Sequence, residues 1–519
     1  MEGNKLGAHA ARIVLDTSMQ RHPVDRKILG HFIEHLGRCI ENGIWMYQKT
    51  GRPLFEKAPL ERVPLDLLDA IKALRVPVLR WPGGCFSDGY HWRDGVGPRD
   101  GRHARKNLAW GGIKNILYNL GPRERNHFGT GEFLALCDEL DCNAYINVNY
   151  GSGTPEEAAA WVAHARARSK RAVFWGIANE IYAIWEKGWE KHPESYANRY
   201  LAFARAMKAV DPAIKLVAVG WNGRSIWNRA LLERIKGQVD YLSIHLYFGN
   251  KPSIGFFLSK KPPPATEAHY YTEVNSASAY EKLIEQTIAD IDAVYGKDNP
   301  ARCKISFDEW NVWTSLGQAY RADMPHYRIV EGIWAALVIN TFIRHAEAVE
   351  MANFAQLVNT IGLIITYDDK IVLTPQYHAM KMYSDALGEL ALPTSVDCTE
   401  TITTKAYSRD FPAATTPVLD AAATISKDGK KISVFVVNKH FKEPKQIEIM
   451  LASGQAISLD GKAAITLLHH DDPFACNTRD EPARISLQCS EMAVESGKIS
   501  IDMPPHAAAS IQFQVRGGI

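Results

Sequence analysis

Cysteine is sparse and scattered: eight in 519 residues, at positions 39, 85, 137, 142, 303, 398, 476 and 489. None of the paired spacing that a zinc ribbon or a disulfide framework needs is present. In a chain of this size such residues read as free, packed thiols of a reducing compartment. Charge of one sign is also missing. The net charge is +2 and no Lys/Arg-rich run stands out, so the electrostatic footprint of a nucleic-acid binder is absent. No apolar run approaches the roughly 18 residues of a membrane span. No apolar leader follows Met1, and no Asn-x-Ser/Thr glycosylation acceptor occurs. Internal repeats and low-complexity tracts are lacking as well. The expectation is a cytoplasmic protein with no nucleic-acid or membrane partner. What the chain does have is apolar bulk: at 46% hydrophobic residues it can build a large core, and its length suggests two domains.

Short apolar strands alternate with helical periods from Lys27 onward. Eight strands are expected, at 28–34, 77–81, 143–148, 172–178, 215–219, 240–245, 304–308 and 352–357. Helices are expected at 64–74, 130–140, 155–169, 194–210, 276–295 and 327–345. Eight βα units predict an α/β fold of the (β/α)8 TIM-barrel type, spanning 22–385. Long connections at 82–129, 246–274 (with Lys260-Lys261-Pro262-Pro263-Pro264) and 314–326 are expected on one mouth of the barrel, shaping a cleft. Beyond about Pro393 the helical periods stop. Alternating strands take over at 421–425, 431–438, 446–450, 464–468 and 510–515, with a hairpin signal at Lys427-Asp428-Gly429-Lys430. Residues 386–519 therefore read as a C-terminal antiparallel β-sandwich, jelly-roll-like, with 11–18 as a possible extra strand.

Two of the barrel strands end in glutamate. One is Val173-Phe174-Trp175-Gly176-Ile177-Ala178-Asn179-Glu180; the other is Ser306-Phe307-Asp308-Glu309-Trp310-Asn311-Val312-Trp313. A single strand-end glutamate is most simply a loop charge or an ion-pair partner. Two in matched aromatic settings, at the mouth where barrels keep their chemistry, point to the carboxyl pair of a glycoside hydrolase. Arg80-Trp81-Pro82-Gly83-Gly84 closes the second strand; its glycines suit a close backbone approach to a ligand, and Arg80 is a candidate counter-charge for Glu309. A structural Arg tying strands together is the competing reading. His31-x-x-Glu34-His35 matches an inverted zinc-peptidase pattern. That pattern needs a helix to aim both histidines at one ion, and Ile28, Leu29, Phe32 and Ile33 instead suggest a strand. No metal and no organic cofactor is expected.

Taken with Gly30 to Ile40, Gly89-Tyr90-His91-Trp92-Arg93-Asp94-Gly95-Val96-Gly97-Pro98, Asp240 to Asn250 and Leu373-Thr374-Pro375-Gln376-Tyr377-His378, these stretches resemble the α-L-arabinofuranosidases of glycoside hydrolase family 51. The resemblance implies that Glu180 is the general acid/base and Glu309 the nucleophile. It implies sugar-binding roles for Glu34, Asn179 (toward the 2-hydroxyl) and Gln356, and a hydrogen bond from Tyr247 to the nucleophile. His245, which period two places on the same face as Tyr247, is a weaker candidate. Leu108-Ala109-Trp110 matches the family's Leu-Ala-Trp, so Trp110 is a candidate stacking platform; Trp310 and Trp313 have lesser claims. Two departures bear on substrate: Cys85 stands where many relatives carry Asn, and Ile181-Tyr182-Ala183-Ile184-Trp185 replaces the more usual Met-Asp-Gly. The implied function is retaining removal of terminal arabinofuranosyl units from oligo- and polysaccharides, by a homo-oligomer, a hexamer or smaller. Alternatives are an endo-β-1,4-glucanase or xylanase, a galactofuranosidase, or a carbohydrate-binding protein with an inactive barrel.

Overall fold

The computed structural model describes residues 10–47, 51–107, 109–110, 123–249, 263–315, 327–452, 458–494 and 497–516. Leu108, Lys260, Lys261, Pro262 and residues 316–326 of the expected loops lie outside the described residues. The chain starts with β1 (Ala10–Leu15) and then builds eight parallel strands: β2 (Gly30–Phe32), β3 (Val78–Trp81), β4 (Asn143–Val148), β5 (Ala172–Ile177), β6 (Lys215–Val219), β7 (Tyr241–Phe248), β8 (Lys304–Val312) and β9 (Val349–Ala355). They pair in the order β8-β9-β2-β3-β4-β5-β6-β7 and close into a barrel. Each expected strand is present, with ends shifted by a few residues.

The helical layer consists of α1 (Leu65–Ala73), α2 (Thr130–Glu139), α3 (Pro155–Arg166), α4 (Pro193–Val210), α5 (Ser225–Ile235), α6 (Glu267–Ser276), α7 (Ser278–Tyr295), α8 (Ile329–Arg344) and α9 (Pro375–Ala386). Three of these depart from the sequence reading. The stretch expected as a loop at 246–274 instead continues β7 to Phe248 and starts α6, which is capped by the Thr266 hydroxyl accepting from the His269 amide. α5 buries Trp227, Leu231, Leu232 and Ile235 along one face, a helical period the reading passed over. α9 begins at Thr374-Pro375, an N-cap followed by proline at the first helical position. α8 is apolar on every side because it is covered on every side, by α6, α7 and α9 and by sandwich strands.

Among the described residues two larger sheets follow the barrel, beside a two-stranded one formed by Thr401–Thr404 and Ala414–Pro417. One holds β10 (Leu390–Leu392), β12 (Leu419–Ile425), β13 (Lys431–Asn438), β18 (Ala507–Arg516), β15 (Ser458–Leu468) and β16 (Gln488–Ala493), paired in that order. The other runs β11 (Thr394–Asp397), β1, β14 (Lys445–Leu451), β17 (Lys498–Met503). All pairings are antiparallel except β1 with β14, which is parallel. Ile13, Leu15, Val434, Val436, Ile447 and Ile449 fill the space between the sheets. β13 is apolar along nearly its whole length for a positional reason: Val434 and Val436 face the sandwich interior, whereas Phe435 and Val437 join the barrel core. The Phe435 ring stacks on Tyr383 of α9 at 4.2 Å. Among the described residues no helix is long and apolar enough to cross a membrane.

Candidate active site

The C-terminal mouth of the barrel gathers the charged residues. β8 shows how. Strict alternation would put Asp308 and Glu309 on opposite faces, but the ladders to both β7 and β9 slip in register between Ser306 and Trp310. This bulge turns both carboxyls inward, with Asp308 wholly buried and Glu309 6% exposed. It also sends Trp310 outward, where it packs against Phe354 at 4.9 Å, Phe342 at 5.3 Å and Trp334 at 5.9 Å. Trp310 is thus a core residue of the helical layer, not a sugar platform.

Glu309 is held by two hydrogen-bond donors and a nearby imidazole. Arg80 Nη1 donates to Oε1 at 2.6 Å, the Tyr247 hydroxyl donates to Oε2 at 2.8 Å, and His245 Nδ1 stands 3.6 Å from Oε2. The same His245 nitrogen lies 2.9 Å from Glu180 Oε1. Oxygens of Glu180 and Glu309 and a nitrogen of His245 lie within 4.8 Å of one another. The other ring nitrogen of His245 lies 3.2 Å from the Ser243 hydroxyl and 3.3 Å from Asp308 Oδ1. Burial disfavours charge on this ring, but Glu309, Asp308 and Glu180 outweigh it and push His245 up to about 10. His245 is therefore an imidazolium with an acidic neighbour at each N–H.

Asp308 is a buried counter-ion. Tyr145 donates to it at 2.6 Å and Ser243 at 2.5 Å, and Arg80 Nε lies 3.9 Å away. Burial alone would raise its carboxyl, yet Arg80, His245 and Ser243 hold it below the ordinary range. The Arg80 guanidinium lies over Phe32 at 4.6 Å, and its Nη2 donates to Asn179 Oδ1 at 2.9 Å. Burial costs this cation less than Asp308 and Glu309 return, so its affinity for the proton rises.

Glu34 forms a second acidic centre. Its Oε1 accepts from the Gly84 and Phe86 amides at 3.0 and 3.2 Å and from Trp110 Nε1 at 3.0 Å. Gln356 Nε2 donates to Oε2 at 3.1 Å, and Gln356 Oε1 accepts from the Glu34 amide at 3.1 Å. Burial, then repulsion from Glu309, pushes Glu34 up to about 7 against those hydrogen bonds. The two glycines after Arg80-Trp81-Pro82 serve these acids. A Cβ on Gly83 would meet Glu34 Cγ at 2.6 Å, and one on Gly84 would meet Glu309 Oε1 at 2.7 Å. The close approach expected toward a ligand is made first to the carboxylates.

The backbone after β5 is bent: Ala178 has φ of 80° and Glu180 of 31°, both in the left-handed region that non-glycine residues seldom occupy. Asn179 is fixed there by its amide, which donates to Asp88 Oδ2 at 3.1 Å, and by its side-chain Nδ2, 3.4 Å from Glu186 Oε1 and 3.9 Å from Cys85 Sγ. The zinc reading does not survive this geometry. Residues 31–35 run from strand into turn, His35 lies 2.9 Å from Glu124 and accepts from Trp81 at 3.1 Å, and burial pulls His31 down to about 3.

Comparison with known proteins now bears on these residues. A profile described as "Alpha-L-arabinofuranosidase C-terminal domain" matches residues 308–507, and one described as "Alpha-L-arabinofuranosidase 1 domain" matches 70–168. An intracellular exo-α-L-arabinofuranosidase of Bacteroides ovatus is 30% identical, over 97% of this chain and 96% of its own. The chain belongs to the α-L-arabinofuranosidase family. A Thermotoga maritima α-L-arabinofuranosidase solved with arabinose is 32% identical, covering 97% of this chain and 100% of its own, with a TM-score of 0.81. The GH51 arabinofuranosidase of Xanthomonas axonopodis pv. citri is 25% identical over 98% and 100%, with a TM-score of 0.83. A bifunctional glucanase-xylanase at 15% identity and a TM-score of 0.62 shares the fold alone.

In this arabinofuranosidase the sequence-derived candidates Glu34, Arg80, Cys85, Trp110, Asn179, Glu180, His245, Tyr247, Glu309 and Gln356 all converge on one mouth. Trp110 reaches it through its bond to Glu34, and its ring lies 6.2 Å from that of Trp313, which in turn meets Tyr247 at 5.8 Å. Sequence reasoning missed Asp88, Tyr145, Glu186, Ser243 and Asp308. Asp308 carried a visible signal, an acid inside an apolar strand. Glu186 carried none.

Proposed function

We propose that the protein is a retaining exo-α-L-arabinofuranosidase in which Glu309 attacks the anomeric carbon and Glu180 protonates the departing oxygen. The observation that carries this reading is the approach of their oxygens to within 4.8 Å. A retaining pair sits about 5–5.5 Å apart, and an inverting pair leaves room for a water between. The surroundings support the order of roles. Glu309 is enclosed by Arg80, Tyr247 and His245, as suits a nucleophilic carboxylate, while the Glu180 side chain is more open, at 19% exposed. Once the glycosyl-enzyme has formed, Glu180 activates the water that releases the sugar. Glu34, Gln356 and Trp110 line the place where furanose hydroxyls would lie, with Asn179 and Cys85 on the side of Glu180. The family relationship favours this activity over the glucanase, xylanase, galactofuranosidase and non-catalytic alternatives.

The same reading assigns the chemistry to residues 22–385 and a supporting role to 386–519 with the N-terminal strand. Its eight free thiols and the intracellular relative support a cytoplasmic setting. The homo-oligomer implied by the resemblance belongs to the proposal too, and light scattering reads it directly. The test of the chemistry is a nitrophenyl α-L-arabinofuranoside assay. Glu309→Ala and Glu180→Ala should each lose about 10³-fold or more in kcat. Azide should rescue Glu309→Gly with an inverted glycosyl azide and Glu180→Ala with a retained one. Full activity in either alanine variant would sink the assignment.

A further inference from the structure

A further carboxyl reaches Glu180. The chain beyond Glu180 folds back through consecutive turns: the Ala183 amide donates to the Glu180 carbonyl at 2.7 Å, Glu186 to Ala183 at 3.0 Å and Glu190 to Ile181 at 2.7 Å. These turns bring a Glu186 oxygen, a Glu180 oxygen and Cys85 Sγ within 4.8 Å of one another. The loop buries the acid Glu186 while leaving two large apolar residues beside it exposed. Glu186 is 6% exposed, whereas Ile184 is 77% and Trp185 70% exposed, the reverse of the ordinary preference. Burying a carboxylate is costly unless it is paired. Among the described residues Glu186 makes no ion pair. Its contacts are the Asn179 amide at 3.4 Å and the Cys85 thiol, and the charged groups acting on it are Asp88, Glu180 and Glu34, all acidic. Tyr182, in the same loop, is acted on by Glu180, Glu309 and Glu186, all acidic. The two cations of the site, Arg80 and His245, are engaged with Asp308, Glu309 and Glu180.

We propose that Glu186 is a positioning residue for the acid/base: a neutral carboxylic acid that anchors Asn179 and packs against Glu180 so that Glu180 stays in register with the departing oxygen. The proposal rests on the arabinofuranosidase reading. Neutrality follows from the absence of a cation: burial and then Asp88 raise this carboxyl, and Glu180 adds to this in its ionised form. It also fits the cycle. Glu180 becomes an anion when it gives its proton to the leaving group; an ionised neighbour would oppose that step, and a neutral one does not.

The experiment compares Glu186→Gln and Glu186→Ala with wild type on two aryl α-L-arabinofuranosides, one with a good and one with a poor leaving group, across a pH series. Glu186→Gln keeps the shape and the neutrality, so kcat/KM and its pH profile should stay within about threefold of wild type. Glu186→Ala frees Asn179 and Glu180; kcat/KM, which reports glycosylation, should fall at least about tenfold on the poor leaving group, whereas kcat/KM on the good leaving group, whose departure needs no acid, should be spared. Three results overturn the proposal: a Glu186→Gln variant as impaired as Glu186→Ala, an alanine variant equal to wild type, or equal losses on both leaving groups. Should Glu186→Ala not fold, Glu186→Gln alone decides, because an ionised or proton-transferring Glu186 cannot be replaced by an amide. Wild type inert on both substrates would instead sink the functional reading beneath it.

Discussion

Buried histidines take different charge states in this protein. His31 has only apolar burial acting on it and falls from 6.5 to about 3, so it is neutral when folded. His245, ringed by Glu309, Asp308 and Glu180, rises from 6.5 to about 10. Their linkages to stability run in opposite directions. A folded value below the unfolded one contributes stability above 6.5 that drains away as pH falls toward 3. A folded value above it contributes stability below 6.5 that is lost as pH rises through about 10. Denaturant titrations over a pH series should therefore show a flatter acid limb for His31→Leu and a flatter alkaline limb for His245→Gln. An unchanged alkaline limb in His245→Gln would mean that the ring is not an imidazolium. At this scale the sequence showed the chemistry but not its environment. It placed Arg80 and Tyr247 beside Glu309, yet no spacing rule could say that His245 bridges Glu180 and Glu309.

At the level of single elements, the barrel strands were legible because apolar runs of this length, spaced by helical periods, have few other solutions. What was lost is local. The bulge in β8 breaks the period of two, and Trp310, a lesser stacking candidate in the sequence, packs on α8 instead. The helix α6 hid inside a stretch read as loop because its residues are mostly polar. α8 itself was plain from its apolar content, though its role as the shared wall between barrel and sandwich was not. Trp334 lies at the centre of that wall, wholly buried, 5.5 Å from Tyr280 and 5.9 Å from Trp310, with its Nε1 donating to Ser276 at 3.0 Å. Trp334→Ala should cost about 3–5 kcal/mol in chemical denaturation. A loss below about 1 kcal/mol would show that the wall collapses to fill the gap.

Across the whole molecule, the first strand is built into a sheet whose other strands come after the barrel. β1 sits between β11 and β14, so removing residues 1–16 would leave β11 and β14 with unpaired edges and open the interior around Ile447 and Ile449. The truncated protein should melt at a lower temperature than the full chain and self-associate on size exclusion; a truncation with the parent's melting temperature would deny β1 its structural part. The sequence allowed this placement because residues 11–18 alternate like a strand yet precede the barrel. It could not supply the partners, since pairing across hundreds of residues leaves no local trace. Asp88 and Glu186 were illegible for the same reason: each matters through what the fold returns to it.

The arrangement of β1 also sets a timetable for synthesis. Residues 10–15 leave the ribosome early, and the strand they lie beside, residues 445–451, follows only after every barrel unit has been made. That apolar segment stays unpaired until residues 394–397 and 445–451 have been made, so its sheet closes only after the barrel, and a chaperone that shields nascent β-strands has a target there.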